Sequence, residues 1–245
     1  MTEPLFRDEP YTRENAGRIV GVDERGIRLD RSVFYPRGGG QAGDSGSLVL
    51  GDGAAIAIAD TLKSPPPLGE GRGEGHVIHV PAPGQESLVA ALAAGTAVTA
   101  RIDWERRHRH MRFHTATHLL CAIVPHPTNG CSITADYARL DFDMVEPLDK
   151  AHLEGELARL VAGAHDVRTV WITDEELDAK PDLVRTMSVK PPRGVGRVRL
   201  LEIEGVDLQA CGGTHVANTR EIGALRVVKI EKKSARSRRV VLEFA

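Results

Sequence analysis

Residues Trp104–Val124 read WERRHRHMRFHTATHLLCAIV, and their apolar spacing predicts one helix, with Asp103 as its N-cap and Phe113, Leu119, Leu120, Ile123 and Val124 as apolar positions. The chain changes character at this stretch. Upstream, the short alternating runs GRIVGV, GIRLD, SVFY, SLVL, AAIAIAD, HVIHV and TAVTARI are separated by glycine and charged turns, which predicts a small β-barrel. Downstream, helical and strand patterns mix. ARLDFDM reads as a strand, LDKAHLEGELARLVAGA as an amphipathic helix and VRTVWI as a strand, and Thr173 with Glu176 makes a capping box. RVRLLEI, ALRVVKIE and RRVVLEF are expected to complete an antiparallel sheet. The fold class is therefore α+β, with an N-terminal barrel-like domain at 1–102 and an α+β domain at 103–245. SPPPLGEGRGEG, from Ser64 to Gly75, lacks periodicity and is expected to be an exposed or disordered hairpin loop.

Within the helix, His114 and His118 of HTATH lie four residues apart and so share a face. Far downstream, CGGTH supplies Cys211 and His215. Two consecutive glycines disfavour a helix there, so Gly212 and Gly213 are expected to form a tight turn that aims Cys211 and His215 at one point. One thiolate and three imidazoles make a complete ligand set for one zinc ion. Histidine spacing alone is weak evidence, because the chain has ten histidines and His110 with His114 forms a second such pair. The C-x-x-x-H pair carries more weight in a chain with only three cysteines. The alternative is that these are buried or surface histidines. A zincin protease would need glutamate where Thr115 stands, and no C-x-x-C pair exists to form a zinc finger or ribbon.

HTATHLL followed by DLQACGGTHVANTREIGAL resembles the editing domain of alanyl-tRNA synthetases and the AlaX trans-editing proteins. FYPRGGGQAGDSG, from Phe34 to Gly46, resembles the glycine-rich signature of the same family, and the tail KIEKKSARSRRV is similar as well. This resemblance implies an editing domain of the threonyl/alanyl-tRNA synthetase type behind the barrel, with zinc held by His114, His118, Cys211 and His215. Gly38, Gly39, Gly40 and Gln41 become candidates for substrate contact, a glycine-rich bend packed between domains being the alternative. Counting back from RLDFD, Thr128 falls where the family places a polar residue facing the aminoacyl group; an exposed loop threonine is the other reading.

The glycines match G-x-G-x-x-G, but DSGSLVL after them reads as turn and strand, whereas a dinucleotide fingerprint must open a helix. A lysine followed by serine or threonine is also missing, so no P-loop and no nucleotide cofactor are expected. The formal net charge of −2 conceals two basic clusters. Arg106, Arg107, Arg109 and Arg112 open the long helix, and Arg226, Lys229, Lys232, Lys233, Arg236, Arg238 and Arg239 crowd the tail. With the resemblance, Arg106, Arg109, Lys232, Lys233, Arg236, Arg238 and Arg239 become candidates for a tRNA acceptor stem; solvated faces are the alternative. Aromatics make up only 4% of the chain, which disfavours a base-stacking platform.

The start, MTEPLFRDEP, carries no apolar run of signal-peptide length, and the cysteines form no disulfide framework, so a soluble cytosolic protein is expected. Cys121 reads as a core residue. The expected activity is zinc-dependent deacylation of mischarged tRNA-Ala, seryl-tRNA-Ala before glycyl-tRNA-Ala. Editing of seryl-tRNA-Thr and a non-catalytic zinc-stabilised RNA-binding module are the alternatives. No Ser-His-Asp arrangement is legible, and no side-chain nucleophile is nominated. Three protein ligands with water would leave the zinc open, whereas four would close it unless one is displaced.

Overall fold

The computed structural model describes residues 1–64, 75–184 and 196–245, so all but the end residues of the predicted Ser64–Gly75 loop lie outside the described residues. Two compact units are present, Met1–Gly38 with Ala42–Arg107 and Gly39–Gln41 with His108–Ala245. Among the described residues, no helix is long and apolar enough to cross a membrane.

In the first unit, six antiparallel strands close into a barrel: β1 (Glu14–Asp23), β2 (Gly26–Leu29), β3 (Gly46–Leu50), β4 (Ala55–Lys63), β5 (Val77–Pro81) and β6 (Ala97–Ile102), in the order β1-β2-β5-β4-β3-β6. The predicted alternation sets the inside: Ile56 and Ile58 on β4 and Val98, Ala100 and Ile102 on β6 are buried, their neighbours on the same strands less so. Closure gives each barrel strand a neighbour on both sides. SVFY departs from the expected pattern. Only Arg31–Ser32 forms a short parallel pairing, with Glu3–Pro4, while Val33, Phe34 and Tyr35 leave the sheet and enter the core.

His79 is buried beside Phe34, with the ring centroids 4.9 Å apart. Its Nδ1 donates to the Ile27 carbonyl (3.0 Å), and its Nε2 accepts from the Ser32 hydroxyl (2.8 Å). Burial, opposed by the bond to Ile27, pushes this imidazole down to about 4. Asp44 closes the glycine-rich segment at its base. Its carboxylate accepts from Tyr35 N–H (2.6 Å) and from the Arg107 guanidinium, and its own N–H donates to the Tyr35 carbonyl (3.0 Å). Both side chains of the Arg107–Asp44 pair are fully buried, and Arg107 also donates to the carbonyls of Val33 and Pro10.

Helix α1 (Trp104–Ile123) forms as the spacing predicts, and Asp103 Oδ1 caps it by accepting from Arg106 N–H at 3.1 Å. The second unit then contributes β7 (Thr128–Ile133), β8 (Ala138–Asp143), α2 (Lys150–Ala162), β9 (Val167–Ile172), β10 (Val198–Ile203), β11 (Asp207–Ala210), β12 (Leu225–Ser234) and β13 (Ser237–Phe244). Asp149 caps α2, and Leu153, Leu157 and Leu160 form its buried stripe. Thr173 and Glu176 make the predicted capping box. The expected single sheet is corrected to two, β12-β13-β8-β7 and β9-β10-β11. RVRLLEI pairs with VRTVWI and with DLQA, whereas the two tail strands form a hairpin that extends from β8. Cys121 is buried, as expected of a core residue.

Candidate metal centre

α1 holds His114 and His118 on one face, one turn apart, and both are buried. Cys211 and His215 arrive on the segment after β11, tied down by Arg199 of β10, whose guanidinium donates to the carbonyls of Cys211 (2.8 Å) and Gly213 (3.1 Å). One ligand atom from each of the four residues lies within 4.8 Å of the others. The Cys211 sulfur stands 3.5 Å from His114 Nε2 and 3.2 Å from His215 Nε2.

The expectation about the glycines needs correcting. Neither Gly212 nor Gly213 has positive φ, and the segment is a bend and not a tight turn. Gly213 is required for another reason, since a Cβ there would overlap the His114 ring and lie 3.1 Å from Gln41 Oε1. The missing side chain lets the thiolate-bearing segment approach the histidine helix.

Each imidazole has a partner at Nδ1. His118 Nδ1 donates to Asp207 Oδ2 (3.0 Å), which also accepts from Gln209 Nε2 (2.6 Å). The Thr115 hydroxyl directs its proton to the Met111 carbonyl (2.9 Å), so toward His215 Nδ1, at 3.3 Å, its oxygen acts as acceptor. His114 Nδ1 donates to Gln41 Oε1 (2.7 Å). With all three Nδ1 atoms committed, the Nε2 atoms are left for a metal, an arrangement typical of metal-binding histidines.

The four side chains also shift one another's ionisation. Desolvation opposes ionisation of Cys211, yet His114, His215 and His118 outweigh it and hold the thiol well below its ordinary value. Burial works against charging His118, but Cys211 and Asp207 raise it to about 9. Burial, aided by His114 and His118 and opposed by Cys211, holds His215 well below the usual histidine range. Cys131 on β7 behaves differently: desolvation first and the charge of Cys211 second push its thiol up to about 12. The chemistry of one thiolate and three oriented imidazoles fits zinc.

Of the glycine-rich residues, Gln41 is fully buried in the second unit, Gly40 has φ +85° and faces Cys131, and Gly38 accepts from the Tyr35 hydroxyl (2.9 Å) in the first unit. Thr128 is buried at the start of β7 and pairs with Phe142, so it is not an exposed loop residue. Among the basic candidates, Lys232, Lys233 and Arg236 are exposed at the β12–β13 hairpin. Arg238 is buried and its guanidinium donates to backbone carbonyls, including Glu146 (3.1 Å) and Ser234 (3.1 Å). Arg239 pairs with Asp141 through two bonds of 2.7 Å. Arg109 lies over the Phe244 ring, and Arg106 reaches the Gly43 carbonyl at 3.4 Å. Sequence reasoning missed Thr115, Arg199 and Asp207. The one available signal was an acid four residues before Cys211, and nothing in a strand pattern marks such an acid as buried.

Residues 198–241 match the threonyl and alanyl tRNA synthetase second additional domain. Over 250 residues the chain is 34% identical to the alanyl-tRNA editing protein AlaX-M of Methanosarcina acetivorans, covering 98% of each. It is 31% identical to the AlaX-M of Saccharolobus solfataricus, again over 98% of each. An alanine–tRNA ligase of Metallosphaera sedula is 36% identical over 94% of this chain and 25% of its own length. Near end-to-end similarity at this identity shows that the chain belongs to the AlaX family of alanyl-tRNA editing proteins, relatives of the alanyl-tRNA synthetase editing domain.

Proposed function

We propose that this protein is a zinc-dependent trans-editing hydrolase that clears mischarged tRNA-Ala, acting on seryl-tRNA-Ala first and glycyl-tRNA-Ala second, in the cytosol. The observation that carries the reading is the convergence of His114, His118, Cys211 and His215 in a chain of this family. An aminoacyl ester yields to a positioned water once the developing oxyanion is stabilised. Bound at these four residues, zinc would supply carbonyl polarisation, a lowered water pKa, or a fixed place for the aminoacyl group. The chain's own residues do the rest: Asp207, Thr115 and Gln41 hold the three imidazoles, and Arg199 holds the thiolate segment.

Selection for serine requires a buried polar group that only the substrate hydroxyl satisfies, because leaving such a group unpaired discriminates better than an apolar pocket does. Thr128 is assigned that contact, and its burial supports the assignment. Lys232, Lys233 and Arg236, exposed on one hairpin, are assigned to the acceptor-stem phosphates. Burial and carbonyl bonding make Arg238 a structural residue in this reading.

Deacylation of purified seryl-tRNA-Ala, glycyl-tRNA-Ala, alanyl-tRNA-Ala and seryl-tRNA-Thr, with metal analysis of the same preparation, tests the proposal. About one zinc per chain is expected, with seryl-tRNA-Ala cleaved fastest, alanyl-tRNA-Ala spared, and both metal and turnover lost in His118→Ala and Cys211→Ala. Faster cleavage of seryl-tRNA-Thr would move the protein to the threonine branch. Zinc and tRNA binding with no turnover would leave an RNA-binding module.

A further inference from the structure

The glycine-rich segment places one side chain against the metal centre, and its contacts specify what that side chain does. Gln41 is fully buried and belongs to the second unit together with Gly39 and Gly40. Its carboxamide is oriented by Thr214, the residue beside ligand His215. The Thr214 backbone N–H, which can only donate, is directed at Oε1 (3.2 Å), while Gln41 Nε2 donates to the Thr214 hydroxyl (2.9 Å). A flipped amide would set two donors against each other, so the oxygen must face His114. There it meets Nδ1 at 2.7 Å, and an amide oxygen has no hydrogen to give. His114 therefore carries a proton on Nδ1, which leaves Nε2, 3.5 Å from the Cys211 sulfur, as the nitrogen available to a metal.

We propose that Gln41 is a positioning residue for the metal: it fixes the tautomer and ring orientation of His114 and locks that ring to the thiolate-bearing segment through Thr214. The backbone brings it there by a route that favours glycine. Gly40 adopts φ +85°, and a Cβ on it would lie 2.7 Å from Cys131 Sγ. Gly40 O also accepts from Ile133 N–H at 2.8 Å, which pins the segment to β7. In this reading Gln41 acts on the ester through His114.

The inference rests on the proposed zinc site, and the test separates the two. Zinc affinity is measured on the full chain by competition with a chromogenic chelator for wild type, Gln41→Leu and Gln41→Glu, alongside the melting temperature of each metal-free protein. Gln41→Leu should raise the zinc dissociation constant by about 10- to 100-fold, as for loss of an outer partner of a metal-bound histidine. Gln41→Glu keeps an acceptor for the same N–H and should bind zinc at least as tightly as wild type. Unchanged zinc affinity in Gln41→Leu, or equal weakening in both variants, would overturn the assignment, since only a lost acceptor for His114 Nδ1 predicts that the alkyl variant weakens zinc binding and the carboxylate variant does not. If Gln41→Leu does not fold, Gln41→Glu decides alone, and weaker zinc binding there defeats the proposal. A wild-type chain that takes up no zinc would instead defeat the metal centre itself.

Discussion

At the scale of single residues, the metal centre depends on one atom that is absent. Gly213 does not adopt positive φ, so it is the closeness of the His114 ring that demands glycine. Gly213→Ala should therefore displace His114 or the CGGTH segment, costing about 1–3 kcal/mol as overpacking does and markedly weakening zinc retention. Melting and chelator competition check it; a variant indistinguishable from wild type in both would show that the segment has room for a methyl group beside the ring. The sequence marked the four candidate ligands, which the fold brings together, because spacing and residue type together restrict the chemistry. It could not mark Asp207 or Thr115, because a carboxylate in a strand and a threonine in a helix are ordinary until the fold sets each beside an imidazole.

Elements were legible where a period or a cap was strong. α1, α2 and the Thr173 capping box form where the pattern placed them, and the barrel strands follow the alternating runs. What failed was partnership. SVFY has strand composition but serves as a core plug, and RVRLLEI joins a different sheet from the tail strands, because strand pairing is decided by tertiary contacts that local sequence does not encode. The β12–β13 hairpin shows how burial redistributes a charge cluster: Arg238 and Arg239 serve structure, and Lys232, Lys233 and Arg236 face outward. Replacing those three with alanine should weaken tRNA binding and lower its salt slope by up to about 0.9 for each phosphate left without its cation, with zinc content unchanged. An unaltered slope of log affinity against log salt would make the hairpin a solvated face.

For the whole molecule, the barrel carries a built-in acid sensitivity. His79 is pushed down to about 4 from an ordinary value of 6.5, so between those values the unfolded chain binds the extra proton. The stability it contributes is fully present above pH 6.5 and is lost as pH falls toward 4, by at most about 3–4 kcal/mol at 1.36 kcal/mol per unit. Melting temperatures from pH 7 to 4.5 should fall less steeply in His79→Gln than in wild type; parallel curves would place the acid sensitivity elsewhere. A consequence of another kind follows from the long reach of the Gln41–Thr214 bond, which joins residues 173 positions apart, and of the His114–Cys211 approach, which spans 97. During synthesis the helix histidines leave the ribosome well before Cys211 and His215 exist, so the early nascent chain holds only two of the four candidate ligands. On the proposed reading, a complete ligand set would therefore exist only late in translation, once the CGGTH segment has been made.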